Sequence, residues 1–412
     1  MTKNAVCNTV GTFIYFFFQW LTTILVVRLG DFESAGLFSL AISFCNLFGF
    51  ISRYGIRNFQ VTDVDRIFSD GQYLGHRILT TVISLLPFFV LMLYRYGRQP
   101  YFMGCILCYM LFKYLESVTD LLFGVMQRAE RYDWILTSYF AKGFLPVAVF
   151  AGLLWAKSGL LFAIIGMAII YFAVVVIFDL PHLQTVTKLK PSFKGLKPLF
   201  VQCFPLMLFS LVTPYMTYLT RSVVEQRFGP TELGYYSSVS VVVVIMTTIG
   251  GSIWCVLIPR IRKWYNQGQV AQIKKLLGEV LLATLMVGFL AVVAAKFCGA
   301  WALVLVFDEP IRAYAGLLSP VLVASILLTV SALFSSILTA LKHNLNMLLI
   351  NICGAVVCTA TAGVFVDKWG MYGANASLIV ALAVQIVCMT GLIVSTLHNI
   401  PDGPKEITDE TT

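Results

Sequence analysis

Arg28-Leu29-Gly30-Asp31-Phe32-Glu33-Ser34-Ala35-Gly36-Leu37-Phe38-Ser39 and Arg227-Phe228-Gly229-Pro230-Thr231-Glu232-Leu233-Gly234-Tyr235-Tyr236-Ser237 are two versions of one turn. Allowing one gap, they match at Arg, Gly, Glu, Gly and Ser, and each lies between two apolar runs. A second pair, Lys157-Ser158-Gly159 up to Ala163 and Lys368-Trp369-Gly370 up to Ala374, recurs at the matching place further along each copy. Such spacing implies a duplicated bundle of six helices. Because six is even, the copies share an orientation and are related by an axis along the membrane normal.

The composition outside these turns requires a membrane. The 412 residues are 59% hydrophobic and 12% charged, with a mean hydropathy of +0.85; soluble domains carry about a quarter charged residues. An aqueous globule cannot hide that much apolar surface. Spanning ~30 Å of hydrocarbon takes about 20 residues at ~1.5 Å each. Apolar runs between polar breaks place helices at 10–29, 35–55, 78–96, 101–124, 135–156 and 159–178, then at 199–219, 234–258, 276–297, 314–340, 346–366 and 371–397. The expectation is an all-α polytopic membrane protein with about twelve transmembrane helices in two pseudo-symmetric six-helix lobes. Its divisions are an N-terminal lobe over 1–180, a cytoplasmic linker over 181–198, a C-terminal lobe over 199–398 and a tail over 399–412. The first run is already full length by Leu29 and reads as a retained helix, not a cleaved signal.

Basic residues fix the expected orientation, since Lys and Arg are retained in cytoplasmic loops. With the N-terminus inside, about 18 fall in cytoplasmic loops, among them Arg57, Arg66, Arg77, Lys188, Arg260, Arg262, Lys263, Lys342 and Lys405, against about 8 outside. Both termini are therefore expected in the cytoplasm. The net charge of +9 reflects this topology and an anionic inner leaflet, with no nucleic-acid role. Most of the ten cysteines, including Cys45, Cys108, Cys255 and Cys388, lie within apolar runs and read as small buried hydrophobes.

Charges inside spans carry the chemistry, because each costs about 2.5–3.5 kcal/mol to insert at the bilayer centre and so seeks a partner or a wet cavity. Lys113, Glu116 and Asp120 share one helix face. Lys142 lies one turn before Pro146, with Glu116 or Asp120 as its candidate partner. Asn46, Arg53 and Arg57 share another face. Thr213, Thr217, Arg221 and Glu225 form a stripe beside Pro205 and Pro214, where an Arg221–Glu225 pair at i,i+4 is the structural alternative. The cations Arg53, Lys113, Lys142 and Arg221 exceed the acids Glu116, Asp120 and Glu225 by one, which favours an anionic ligand.

Other fragments carry less. Asp63-Val64-Asp65 has metal-motif spacing but reads as a solvated loop, and Cys105 and Cys108 read as inert packing. There is no Walker loop and no His-Glu-x-x-His, and neither a cofactor nor a metal is expected. Arg260 to Lys275 reads as an amphipathic surface helix, and the acidic tail from Asp402 as disordered.

The first helix with Arg28-Leu29-Gly30, the segment Tyr54-Gly55-Ile56-Arg57-Asn58-Phe59-Gln60-Val61-Thr62-Asp63, and Gly234-Tyr235-Tyr236-Ser237 running to Leu257-Ile258-Pro259-Arg260 resemble the bacterial polysaccharide flippases. These are the Wzx-type members of the multidrug, oligosaccharidyl-lipid and polysaccharide exporter superfamily, which handle O-antigen or capsule repeat units. The resemblance implies a flippase in the bacterial cytoplasmic (inner) membrane, moving undecaprenyl-pyrophosphate-linked oligosaccharide to the external leaflet by alternating access. It implies a cationic cavity for which Arg53, Lys113, Lys142 and Arg221 are the candidates here, proton or sodium coupling through Glu116, Asp120 or Glu225, and polysaccharide assembly proteins as partners. A multidrug or cation antiporter of the same superfamily is the alternative. An enzyme is not expected, since membrane polymerases and glycosyltransferases need a sizeable external loop.

Overall fold

The computed structural model describes residues 3–63, 66–187, 190–244, 246–247, 250, 261, 264–265, 267–341 and 343–398. Asp65, Lys188, Arg260, Arg262, Lys263, Lys342 and the tail from Asp402 lie outside the described residues. The expected surface helix over 260–275 is not one helix, because a turn at Gln267 and Gly268, the latter at φ 69°, interrupts it. The end of that stretch, from Val270 to Lys275, forms the first turns of a long helix.

Among the described residues the chain is helical and has no strands. In order come α1 (Lys3–Leu29), α2 (Phe32–Arg53), α3 (Ile56–Thr62), α4 (Asp70–Tyr96), α5 (Pro100–Arg128), α6 (Tyr132–Trp155), α7 (Leu160–Val174) and α8 (Leu180–Gln184). Then follow α9 (Lys197–Phe228), α10 (Pro230–Ser240), α11 (Val270–Phe307), α12 (Leu318–Ala340), α13 (Asn344–Trp369) and α14 (Met371–His398). A π-helical turn, Val175–Asp179, joins α7 to α8, and a 3-10 segment, Glu309–Leu317, precedes α12. Ten helices among the described residues are long and apolar enough to cross a membrane. The 29-residue α5 is not among them, because Lys113, Glu116 and Asp120 interrupt its apolar run. The expected span over 234–258 lies in large part outside the described residues, which hold its first turns as the end of α10.

The chain forms two compact units, Met1–Ser238 and Val239–Thr412. In the first, α1 packs along α6, and α2 lies against α4, α5 and α9. In the second, α14 packs on α12 and α13. The buried charged side chains described all belong to the first unit: Asp63, Arg77, Lys113, Glu116, Lys142 and Asp179. The buried polar side chains described in the second are all uncharged, for example Ser331, Asn351, Ser377 and Gln385. There Gln385 donates to the Asn351 carbonyl at 3.1 Å and accepts from Ser331 at 3.3 Å, an uncharged polar seam across three helices.

The repeat is visible in the backbone. Gly30 donates to the Val26 carbonyl at 3.0 Å and Gly229 to the Glu225 carbonyl at 2.8 Å, so α1 and α9 each end on a glycine amide, although only Gly229 takes a positive φ, at 86°. In the second pair Gly159 and Gly370 both take positive φ, at 88° and 59°, a conformation that suits a residue without a Cβ.

Between α2 and α3 the chain breaks through two left-handed residues, Tyr54 (φ 52°) and Gly55 (φ 66°). The C-terminal turn of α2 is tied off by Tyr54 donating to the Phe50 carbonyl at 3.0 Å. A Cβ on Gly55 would lie 3.0 Å from that of Leu206 on α9, a tight contact added to an unfavourable φ. Gly55→Ala is therefore expected to cost about 1–2 kcal/mol. Lowered resistance to thermal or denaturant unfolding in detergent would show it, and unchanged resistance would contradict this reading of the break.

Candidate functional site

The parallel helices α2 and α5 bring together residues that the sequence spaces four apart on each. Arg53 meets Glu116 at 3.0 Å and Arg57 meets Asp120 at 3.4 Å, so the register survives the helix break. Lys113, one turn before Glu116, reaches the same carboxylate at 2.7 Å, and the Tyr15 hydroxyl of α1 donates to its other oxygen. Arg77 of α4 reaches Asp120 at 3.1 Å while donating to the Ser52 carbonyl and the Ser117 hydroxyl at 3.2 and 2.9 Å. Each carboxylate thus accepts from at least two cations, the arrangement that makes charge tolerable in an apolar interior.

Lys142 forms a neighbouring pair with Asp179, which sits on the π-helical turn after α7, and both are fully buried. Ser138 donates to Asp179 at 2.7 Å and Lys142 to Thr119 at 3.0 Å. The Phe123 ring lies between the two sets, with Arg57 at 5.8 Å on one contact and Lys142 at 5.0 Å on another. Arg221 stands apart. It donates to the Ser39 carbonyl at 3.3 Å, fourteen residues before Arg53 on α2, or about 21 Å along the helix axis. Arg221 and Glu225 form no ion pair with each other among the described residues.

Of the four cations singled out from sequence, Arg53 and Lys113 share one carboxylate, Lys142 lies one contact away, and Arg221 lies toward the other end of α2. Two members were missed. Arg77 falls one residue before the expected start of its helix, in the expected loop, whereas α4 starts at Asp70, capped by Ser69 and Gln72 in a reciprocal capping box. The Ser69-x-x-Gln72 spacing was a usable signal. Asp179 was placed in the polar connection after the sixth span, whereas the π-helical turn carries it inward, and it takes the place of Glu116 or Asp120 as the partner of Lys142.

Exposure separates the cations by role. The Arg53 and Arg57 side chains are 30% and 21% accessible, while Arg77 is 1% and Lys142 0%. The first two keep accessible surface; the second two are enclosed. Five cations, Arg53, Arg57, Arg77, Lys113 and Lys142, surround three carboxylates, Glu116, Asp120 and Asp179, an excess of two positive charges.

Asp63, of the metal-like triplet, has a structural task. It accepts from the Ile67 and Phe68 amides at 2.9 and 3.1 Å and from the Tyr73 hydroxyl at 2.8 Å, so it closes the loop before α4. Burial alone would raise its pKa, but these hydrogen bonds, with Arg128 nearby, hold it below the usual carboxylate range. Among the described residues no cluster of His, Cys, Asp and Glu could hold a metal ion.

No family model matches the chain. The capsular polysaccharide biosynthesis protein CapF of Staphylococcus aureus is 25% identical over 314 residues, 75% of this chain and 78% of that one. The inward-facing structure of a multidrug resistance MATE family transporter of the MOP superfamily superposes with a TM-score of 0.71 at 14% identity, covering 97% of this chain and all of that one. The lipid II flippase MurJ in its inward closed conformation gives 0.72 at 14% identity, over 96% and 90%. The chain has the MOP-superfamily fold. The MOP fold also explains the duplication read from the two turns, since two lobes of helices build it.

Lys142→Met alone leaves Asp179 buried without its cation, an expected loss of about 3–5 kcal/mol, whereas Lys142→Met with Asp179→Leu is expected to recover most of it. Unfolding of the two single variants and the double in detergent measures the coupling. Additive losses would mean that the pair does not act as a unit.

Proposed function

We propose that the protein is a flippase for an undecaprenyl-diphosphate-linked oligosaccharide, carrying it from the cytoplasmic to the external leaflet for polysaccharide assembly. The observation that carries this reading is the charge count around Glu116, Asp120 and Asp179: two positive charges in excess, with Arg53 and Arg57 the accessible members. A diphosphate diester carries two negative charges, and guanidinium forks match phosphate oxygens with paired hydrogen bonds. The capsular relative supports the polysaccharide setting, and the flippase neighbour supports a lipid-linked cargo. The protein would lie in a bacterial inner membrane with both termini in the cytoplasm.

Energy would come from a proton or sodium gradient. Glu116 and Asp120 are poor carriers, since each already accepts from at least two cations, and neutralising either would strand them. Glu225 is in no salt bridge among the described residues and is the better candidate. A multidrug antiporter would instead need a net excess of acids over cations in its cavity. The excess here has the opposite sign.

Deletion in the host is expected to leave lipid-linked oligosaccharide on the cytoplasmic face; normal surface glycan with altered dye sensitivity would favour the antiporter. Arg53→Ala with Arg57→Ala is expected to cut flipping of a fluorescent polyprenyl-diphosphate saccharide in proteoliposomes by about tenfold or more, since charge-assisted hydrogen bonds are worth about 1.5–3 kcal/mol each. A polyprenyl monophosphate saccharide, with one charge fewer, should lose less. Equal losses on both lipids would remove the diphosphate argument.

A further inference from the structure

Between Asp179 and Glu225 the chain holds no acidic residue, and its lysines, Lys188, Lys190, Lys194 and Lys197, fall close together in the connection before α9. Such a run is ordinarily a loose, solvated loop. Here it is fixed. From Lys190 to Leu196 the chain runs non-helical along the start of α4 and is held there by its backbone. Ser192 donates to the Gly71 carbonyl at 2.8 Å, and the Gln72 side-chain amide donates to the Lys194 carbonyl at 3.0 Å. Gly71 and Gly75, one helical turn apart, face the segment: a Cβ on Gly71 would lie 2.3 Å from the Lys190 carbonyl oxygen, and one on Gly75 2.1 Å from that of Ser192. Thus α4 makes room for this strap by doing without two side chains. Gly195 then turns the chain at φ 67°, and Leu196 joins Tyr73 and Leu199 in one buried apolar cluster.

With its backbone engaged on α4, the strap presents side chains outward. Lys190, Phe193, Lys194 and Lys197 are exposed, the Phe193 side chain at 54%, and none of these lysines is in an ion pair among the described residues. Three cations and a bare aromatic ring on a fixed segment beside membrane spans have the chemistry of an interfacial anchor. An aromatic ring settles at headgroup level, and lysine stems lie along apolar surface while their ammonium groups reach phosphate.

We infer that the strap is a docking surface for anionic phospholipid, with Phe193 set among the upper acyl groups and Lys190, Lys194 and Lys197 on the headgroup phosphates. On the orientation proposed above it faces the cytoplasmic leaflet. Each basic residue near an anionic membrane surface strengthens binding by about fivefold. Holding three of them on a clamped backbone removes part of the ordering cost that a loose loop would bear. Basic residues in the other connections expected on that side are placed differently: Arg131 is paired with Asp133 at 3.0 Å, and Lys274 and Lys275 stand on the first turns of α11.

The test is native mass spectrometry of the purified full-length protein, titrated with phosphatidylglycerol or with phosphatidylcholine of the same acyl chains. The parent is expected to hold the anionic lipid about a hundredfold more tightly, and Lys190→Gln with Lys194→Gln and Lys197→Gln to lose most of that preference. A second triple variant, Arg131→Gln with Lys274→Gln and Lys275→Gln, removes as much charge from other exposed positions and should keep it. Equal losses in the two triples would mean that net charge alone draws the lipid and would overturn the strap as its site, as would an unchanged preference in the first. Gly75→Ala keeps every lysine but drives a methyl into the Ser192 carbonyl. In protein that elutes folded it should weaken phosphatidylglycerol binding by about fivefold, the equivalent of one lysine withdrawn; full binding would overturn the role of the clamp. In phosphatidylglycerol vesicles, the emission that Phe193→Trp adds over the parent should be quenched by lipid brominated high on the acyl chain. Quenching by aqueous iodide instead would place the strap in water, open to a soluble partner, and overturn the lipid surface.

Discussion

A charge taken into an apolar interior has to be neutralised there, and the first unit is organised around meeting that demand. Glu116 and Asp120 sit four residues apart on α5, opposite Arg53 and Arg57, four apart across the α2–α3 break. The match requires α2 and α5 to run parallel in fixed register, so the ion ladder sets helix packing as much as packing permits the ladder. Tyr15 ties α1 to it, Arg77 ties α4, and the Lys142–Asp179 pair ties α6 to the π-helical turn beyond α7. The polar contacts specify the arrangement. The surrounding aliphatic and aromatic side chains could slide by a turn with less penalty.

That division explains what could be read from sequence. Apolar runs of span length, the duplicated turns and the face shared by Lys113, Glu116 and Asp120 are local properties, and all reappear as helices and contacts. The partner of Lys142 was not local: Asp179 lies 37 positions away, and only a π-helical turn aims it inward. Arg77 was assigned to a loop because hydropathy locates where a helix becomes apolar, not where its backbone begins. A capping box, not an apolar residue, marks the start of α4. Arg221 illustrates a third limit, since spacing offered Glu225 at i,i+4 and the structure gives it a backbone carbonyl on another helix.

The rigidity of the buried ion pairs bears on transport. A buried ion pair such as Lys142–Asp179 cannot separate without exposing two charges to hydrocarbon, so it belongs to the part of the protein that stays together through any cycle. Alternating access needs two kinds of contact in one chain, rigid bundles and a seam between surfaces that can part. Here the rigid contacts gather along the charged middle of α5 and beside it.

Arg53 stands at the meeting of these requirements. Its guanidinium shares Glu116 with Lys113 and Tyr15, so removing Arg53 from that carboxylate still leaves Glu116 with a cation and a hydroxyl. Glu116 can therefore lend Arg53 to an incoming anion without being stranded. Arg77 has no such freedom, because it alone joins Asp120 to the Ser52 carbonyl and the Ser117 hydroxyl at the centre of the bundle. A site that must bind a headgroup and then release it needs cations whose native partners tolerate their absence. By that criterion the accessible pair Arg53 and Arg57, not the deepest cations, is where a transported anion would be held.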